Sequence, residues 1–281
     1  MSNKISKLIV LPVGVFLASL IILLYNFSTT GEFVLRDIDL KGGTLITIET
    51  SSPVDTASLE RLLDERHDSI FVSGVRSATG NGIKIEADQN ADINQIVSDV
   101  EGFGVTVNSF SAETLGSFLG NLFFQQVVYI IAIGFILMSI VIFLIYRNPV
   151  TSFGIVFAIL ANIIVTLAIT TLLGIKISFA GFAGILMLIA YTVDTNIVLT
   201  HNALKSTPEN LKNSIKKAFS TGVTLTATIT ATMVVVYLLS TSKLLVNISQ
   251  ILVIGFITDL MFTWIFNSAI LEWWVNRRYG Q

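Results

Sequence analysis

The sequence has no cysteine and only two histidines, His67 and His201. Without cysteine the chain cannot form disulfides, thiolate metal sites, iron–sulfur clusters or a cysteine nucleophile. Two histidines are too few for a multi-histidine metal centre, so we expect neither a metal nor a cofactor. Charged residues make up only 13% of the chain, which is about half the share found in soluble domains. A single water-soluble core is therefore unexpected.

Motifs for enzymatic chemistry are also missing. Lys41-Gly42-Gly43-Thr44 lacks the spacing of a phosphate-binding loop, and a strand pattern rather than a helix pattern follows it. No serine has a histidine and an acid at a spacing typical of hydrolases. The net charge of −2 argues against nucleic acid as a partner. We expect a protein that is not an enzyme.

Long apolar runs dominate instead, and six of them are long enough to cross the ~30 Å hydrocarbon core of a membrane. The first follows two lysines and has no small-residue cleavage site, so it predicts a retained anchor helix rather than a signal peptide. One span precedes a long polar segment and five follow it. The predicted spans are Leu8 to Phe27, Val127 to Tyr146, Phe153 to Leu173, Ile177 to Thr200, Thr221 to Ser240 and Leu244 to Leu271.

The basic residues predict the orientation of these spans. A cytosolic N-terminus puts nine of the 17 basic residues inside and leaves only Lys176 and Lys243 in short outer loops. We therefore expect a multi-pass protein of the cytoplasmic membrane with both termini in the cytosol. The predicted domains are 1–27, with the first span, then 28–126 outside the membrane, and 127–281 with five spans and a short cytosolic end.

The outer segment 28–126 holds 15 of the 19 acidic residues and has the pattern of a folded domain. Its periodicity predicts the order βαββαβ, which is typical of the ferredoxin-like α+β fold. A turn is predicted at Gly80-Asn81-Gly82. The predicted elements are the strands Thr44 to Thr50, Ile70 to Ala78, Ile83 to Ala87 and Val105 to Phe110, and the helices Asp55 to Asp68 and Asp92 to Val100.

A short basic segment joins the fourth and fifth spans. Ser206-Thr207-Pro208-Glu209 predicts a helix start with an N-cap and a proline at the first helical position. Apolar residues then recur on one face, beside Lys212, Lys216 and Lys217. This pattern favours a connector helix lying on anionic lipid headgroups, with a docking site for a ribosome or translocon as the alternative.

Two acidic residues lie well inside the predicted spans, Asp194 in the fourth and Asp259 in the sixth. Charged groups at this depth are costly, so we expect each to face the bundle interior or a wet cavity, where it could take up and release protons. Tyr191, Thr195 and Asn196 are polar neighbours of Asp194 that could support this role. The alternative is that each aspartate is a hydrogen-bonded packing fixture between helices.

The fifth span carries threonines on one helical stripe, at Thr224, Thr228 and Thr232. The stripe could line a cavity holding Asp194. Alternatively, each hydroxyl could bond to the carbonyl one turn earlier and simply allow close packing. The pair Gly42-Gly43 favours a turn with positive φ or a close backbone approach just before the first strand.

These features together resemble the SecF component of the SecD/SecF protein-export family. The resemblance covers essentially the whole chain and rests on the one-plus-five arrangement of spans and on four stretches of sequence. Asp194-Thr195-Asn196 and Asp259 are similar to archaeal members. The stretches are Asp37-Ile38-Asp39-Leu40-Lys41-Gly42-Gly43-Thr44, Val193-Asp194-Thr195-Asn196, the threonine-rich start of the fifth span, and Gly255-Phe256-Ile257-Thr258-Asp259 with Asn267-Ser268-Ala269.

The resemblance implies a subunit that assists protein export, has a helix bundle like that of RND transporters, and uses the proton gradient. Asp194 matches the position of the family's membrane-embedded aspartate, and Asp39, Gly42 and Gly43 match its outer motif. The implied partners are a SecD-like subunit forming a heterodimer, a SecY-type translocon and the translocating polypeptide, which the outer domain could bind by strand addition. Two alternatives stay open: a scaffold of the translocon that uses no energy, and an RND-type exporter of small molecules.

Overall fold

The structure is a computed structural model that describes residues 2–67, 70–77, 80–240 and 242–279. The chain divides into two compact units. The first, here called the helical unit, comprises Met1–Leu35, Tyr129–Ser240 and Leu244–Gln281. The second, here called the sheet unit, comprises Arg36–Val128 and Thr241–Lys243.

Helix α1 opens the chain, and a compact α+β arrangement follows it. The elements are α1 (Ser2–Thr30), α2 (Ile38–Lys41), β1 (Gly43–Thr50), α3 (Thr56–Asp64), β2 (Phe71–Ser77), β3 (Gly80–Ala87), α4 (Ile93–Gly102) and β4 (Val107–Leu115). Aspartates cap the two longer helices of the sheet unit, at the residues where the sequence predicts these helices to begin. Asp55 accepts hydrogen bonds from the amides of Ala57 and Ser58, and Asp92 from those of Asn94 and Gln95.

The four strands form one antiparallel sheet in the order β2-β3-β1-β4. Alternate residues of the strands point to one face, where α3 and α4 cover them. The core of the sheet unit contains Ile46, Ile48, Leu59, Leu63, Ile83, Ile85, Ile96 and Val100. A sheet covered by two helices on one face accounts for the alternating pattern in the sequence.

Several boundaries in the sheet unit differ from the prediction, among them the end of α3, which falls at Asp64. Gly80, Asn81 and Gly82 belong to β3 and pair with Ser77, Arg76 and Val75, so the predicted turn there is wrong. The connection between β2 and β3 falls on residues 78–79, outside the described residues, as do the ends of the predicted strand at Ala78 and helix at Asp68. Strand β4 continues to Leu115, because residues 109–115 pair without interruption with residues 43–49 of β1.

Six helices of the described residues are long and apolar enough to cross a membrane, which confirms the six predicted spans. After α1 they are α5 (Ser117–Tyr146), α6 (Pro149–Leu172), α7 (Phe179–Leu204), α8 (Leu211–Leu239) and the run Lys243–Arg278. The last run, here called the last span, consists of α9 (Lys243–Met261), a π-helical segment (Phe262–Asn267) and α10 (Ser268–Arg278). π-helical segments place side chains out of the regular α-helical phase and often occur at functional sites.

The predicted connector helix between the fourth and fifth spans is wrong as a separate element. Helix α8 begins at Leu211 and continues without a break into the fifth span. Pro208 lies in a turn before the helix, and Asn210, not Ser206, is the N-cap residue. Leu211 and Ala218 pack against the last span, so tertiary contacts with Trp264 and Leu271 decide where this helix starts.

Candidate functional site

Asp259 lies inside the helical unit, with only 2% of its surface exposed. One carboxylate oxygen, Oδ1, accepts a hydrogen bond of 2.7 Å from Thr263 in the same span. The other, Oδ2, accepts a hydrogen bond of 3.2 Å from Thr195 of α7. The carboxyl group therefore joins α7 to the last span, and it faces the interior as expected from the sequence.

A network of buried polar side chains continues from Asp259 in two directions. On one side, the Asn162 amide donates to Thr192 and its carbonyl oxygen accepts from Thr258. On the other side, the Asn196 amide donates to Thr263 at 2.8 Å. The Asn267 amide in turn donates to Asn196 at 2.7 Å. Three helices, α6, α7 and the last span, are thus joined by hydrogen bonds between side chains.

Part of this network has the form of two facing rows spaced one helical turn apart. Residues four apart on α7 share one face of that helix, and the hydrogen bonds of Asn196 with Thr263 and Asn267 bring the residues of the last span opposite them. We call these six residues the polar ladder: Thr192, Asn196 and Thr200 on α7, and Asp259, Thr263 and Asn267 on the last span.

Asp194 has the opposite environment. It is exposed on the surface of this chain, in the middle of α7. Along the same stripe lie Ala183, Met187 and Ala190, which are exposed as well. Of the two acids, each expected to face the bundle interior or a wet cavity, Asp259 faces the interior, whereas Asp194 lies on the surface of this chain.

Two polar neighbours of Asp194 in the sequence form hydrogen bonds with Asp259 or its network. Thr195 donates to Asp259, and Asn196 belongs to the polar ladder. Tyr191 is half-buried and its ring meets Phe256 edge to face at 5.4 Å. Adjacent residues of a helix point about 100° apart, so the run Asp194-Thr195-Asn196 faces both outward and inward.

The threonines of α8 do not gather around either acid. Thr224, Thr228 and Thr232 are exposed, and each hydroxyl donates to a carbonyl one turn earlier, at 2.7, 2.8 and 3.0 Å. This geometry fits the second interpretation of the stripe, in which each hydroxyl bonds to its own helix and allows close packing. The hydroxyl groups of the stripe are therefore satisfied within α8 and need no partner on another helix.

Several residues of the network were not identified as site residues from the sequence. Among them is Thr166, whose hydroxyl shares a hydrogen bond of 3.1 Å with that of Thr258. The full set, all at least nine-tenths buried, is Asn162, Thr166, Thr192, Thr258, Thr263 and Asn267. A signal was present, because Asn162 and Thr166, like Asp259, Thr263 and Asn267, recur at intervals of four within apolar spans. Polar residues at this spacing mark one helix face, and in a membrane such a face must find partners.

The outer motif has a steric basis. Gly42 and Gly43 have φ of +83° and +136°, where side chains are strained. A Cβ atom on Gly42 would also lie 2.4 Å from the Cα of Ser117, the first residue of α5. Asp39 is half-buried in the short helix α2, directly before the glycines. Both expectations for this pair, a positive-φ turn and a close backbone approach, therefore apply.

Charged groups gather near this motif within the sheet unit. The Lys243 ammonium lies 2.7 Å from a carboxylate oxygen of Asp37, which is 3% exposed. Lys84 lies nearby on β3. Its burial, reinforced by repulsion from Lys243, lowers the pKa of Lys84 to about 8.

The lowered pKa of Lys84 predicts that the stability of the sheet unit depends on pH. The unfolded chain binds a proton at Lys84 up to pH about 10.5 and the folded chain only up to about 8, so stability should rise between these values. Replacing Lys84 by methionine should flatten that rise, whereas replacing the exposed Lys41 should not. Urea unfolding of the full chain measures this change in stability, with a fluorophore attached to the Ser111→Cys variant as the reporter. An unchanged slope in Lys84→Met would contradict the assignment.

Comparison with known proteins gives the site its context. The family model described as "Protein export membrane protein SecD/SecF, C-terminal" matches residues 95–277. A protein-export membrane protein SecF from Methanocaldococcus jannaschii is 31% identical over 277 residues, covering 95% of each chain. Another, from Pyrococcus furiosus, is 28% identical and covers 98% of this chain and 93% of the relative.

Two solved structures share the fold. The crystal structure of SecDF, a translocon-associated membrane protein from Thermus, matches with a TM-score of 0.72 at 18% identity. It covers 98% of this chain, whereas this chain spans only 37% of that longer chain. SecDF in a super-membrane-facing form matches with a TM-score of 0.57 and 15% identity.

Proposed function

Because the chain belongs to the SecD/SecF family of protein-export membrane proteins, as a SecF-type subunit, we propose that it pairs with a SecD-like chain and uses the proton gradient to assist the Sec translocon. Relatives of SecF type match along nearly their whole length. The family membership supports the role in export, and the environments of the two membrane aspartates support the partner and the coupling.

The observation that carries the proposal is the exposure of Asp194 in the middle of a span. An ionised aspartate at the centre of a membrane helix costs about 2.5–3.5 kcal/mol, so it faces protein or water rather than lipid. We infer that a second protein covers this face of α7. The small side chains of Ala183 and Ala190, on the same stripe, allow another helix to approach closely.

A SecD-like chain is the partner that suits this surface. This chain matches 37% and 39% of the two SecDF chains, which therefore contain a large part with no counterpart here. We assign that missing part to a separate SecD-like subunit that forms a heterodimer with this chain. A SecY-type translocon and the translocating polypeptide are the further partners that an export role requires.

We propose the arrangement in the membrane from the same elements. Residues 28–126 form an outer domain of ferredoxin-like fold, supported by the strand order β2-β3-β1-β4 and the element order βαββαβ. Residues 1–27 and 127–281 form an RND-like bundle. The exposed Lys205, Lys212 and Lys216 lie at ends of α7 and α8 that the basic residues assign to the cytosol, as they do both termini.

The two acids would take different parts in proton coupling. Asp194 lies on the proposed interface, where a proton changes the charge between subunits. Asp259 accepts hydrogen bonds from Thr195 on α7 and from Thr263 on its own span. A change in the protonation of Asp259 therefore alters a contact between two helices, which is the kind of local event that shifts a conformational equilibrium.

An export assay on membrane vesicles tests this function. Vesicles carrying the chain and its SecD-like partner, with saturating energy for the other motors of the translocon, should export more protein than vesicles without them. An uncoupler should abolish this stimulation. Stimulation that persists with the uncoupler would contradict proton coupling and favour a scaffold, and transport of small amphipathic compounds without effect on export would favour an exporter.

A further inference from the structure

The polar ladder ends in side-chain atoms that find no partner in the described ranges. Asn267 Oδ1 and Thr200 Oγ1, the last members of the two rows, are fully buried and make no hydrogen bond there. Three more buried atoms share this condition: Ser152 Oγ, Trp264 Nε1 and Trp274 Nε1. Buried polar atoms without a partner are rare in proteins and are most often satisfied by bound water.

Three of these atoms, on Ser152, Thr200 and Asn267, lie toward one end of the helical unit. Ser152 lies in the first turn of α6, and Thr200 lies about one turn before the end of α7. A Cβ atom on Gly154 of α6 would lie 2.8 Å from Asn267 Oδ1, so the first turns of α6 adjoin the end of the ladder. In the orientation proposed above, these helix ends face the cytosol.

The chemistry of the atoms suits water better than another side chain. Asn267 Oδ1 can only accept a hydrogen bond, the two indole nitrogens can only donate one, and the hydroxyl groups can do both. A water molecule needs both kinds of partner. The π-helical segment Phe262–Asn267 also interrupts the regular α-helical hydrogen bonding at this level.

From these observations we propose that a chain of bound water molecules enters the helical unit between the cytosolic ends of α6, α7 and α10 and reaches Asp259 along the polar ladder. Hydrogen bonds of 2.7 and 2.8 Å already connect Asn267 to Asn196 and Asn196 to Thr263. Thr263 donates to Asp259. These water molecules would let Asp259 exchange protons with the cytosol by a path that does not pass through the partner subunit. The assignment of this path to the cytosolic side rests on the proposed function.

Cysteine accessibility tests the path, since the chain has no native cysteine. Thr200→Cys and Ser152→Cys keep a small side chain at the proposed path. Leu199→Cys and Ile155→Cys are matched controls, because both residues are fully buried on the same helices. The probe is aqueous Ag⁺ in chloride-free buffer, on vesicles with the complex, and the readout is the thiol left for maleimide after denaturation.

We expect Thr200→Cys and Ser152→Cys to react at least about tenfold faster than their controls, which react only through local opening. Equal rates would overturn the proposal. Lys205→Cys, exposed at the end of α7, reports which membrane side the reagent enters from. The cysteine assay needs neither export nor a proton gradient. If the protein shows gradient-driven export but the path and control cysteines react at equal rates, only the water path is overturned and the proposed function stands.

The unmodified protein provides a second test. It has three tryptophans, hence three indole N–H signals in an NMR spectrum of tryptophan-labelled protein. Trp273 is 47% exposed and gives the rate of free exchange with D₂O. We expect the indole N–H of Trp274, which is buried on α10, to exchange within minutes. Its protection on the timescale of core amides would contradict the proposal even if a cysteine variant failed to assemble.

Discussion

Replacing Asp194 by asparagine should reduce export stimulation to the level seen without a proton gradient, while the complex with the SecD-like chain stays intact. Asparagine has nearly the same shape and can form hydrogen bonds across the interface, but it cannot exchange a proton. The exposure of Asp194 on this chain means that the change disturbs none of the network around Asp259. Export by vesicles with an imposed gradient measures the effect.

The matched control is Glu209→Gln, the same acid-to-amide change at an exposed residue outside the helices. It should export like the unmodified protein. If Asp194→Asn keeps its full gradient-dependent stimulation, Asp194 does not couple protons, and the assignment as a SecF-type subunit is unaffected. Copurification of the SecD-like chain with the variant shows that any loss is not a loss of assembly.

Replacing Asp259 by leucine should destabilise the helical unit by about 2 kcal/mol, because the Thr263 hydroxyl loses its acceptor inside the protein, whereas Thr195 still donates to the carbonyl of Thr192 at 3.0 Å. Asparagine keeps one acceptor oxygen, so Asp259→Asn should remain within about 1 kcal/mol of the unmodified protein. The thermal unfolding midpoint of the purified chain in detergent compares them. The leucine variant should unfold several degrees lower.

Ile257→Ala serves as the control for the last span, because Ile257 is 59% exposed in this chain and two residues from Asp259. It should shift the midpoint little. A leucine variant as stable as the asparagine variant would show that the hydrogen bonds to Asp259 contribute little, and that the acid is held only by its surroundings. Together the two variants separate the charge of Asp259 from its role in packing.

The sequence allowed much of the architecture to be predicted. Length and hydropathy identified six spans, and periodicity identified the elements of the sheet unit, with helices beginning at Asp55 and Asp92, which the structure shows as their N-caps. Boundaries were predicted less well where a tertiary contact decides them. Helix α8 begins at Leu211 rather than after Ser206, since Leu211 packs into the cluster with Trp264.

The different surroundings of the two aspartates could not be predicted, for a physical reason. Hydropathy shows where a span begins and ends but does not fix its rotation about its axis. Asp194 and Thr195 are adjacent in sequence, yet one is exposed and the other donates to Asp259. A search for polar residues four apart in apolar spans would have found Asn162, Thr166, Thr263 and Asn267.

The central claim is that the face of α7 carrying Asp194 is covered by a SecD-like subunit. The most direct test attaches a benzophenone to a single cysteine at Ala190, on the same stripe as Asp194, and irradiates membranes containing both chains. A cysteine at Ile133, 58% exposed on α5, is the control. We expect Ala190→Cys to give a covalent adduct with the SecD-like chain and Ile133→Cys to give mainly lipid adducts. Lipid adducts alone from Ala190→Cys, in membranes from which the complex copurifies, would contradict the claim.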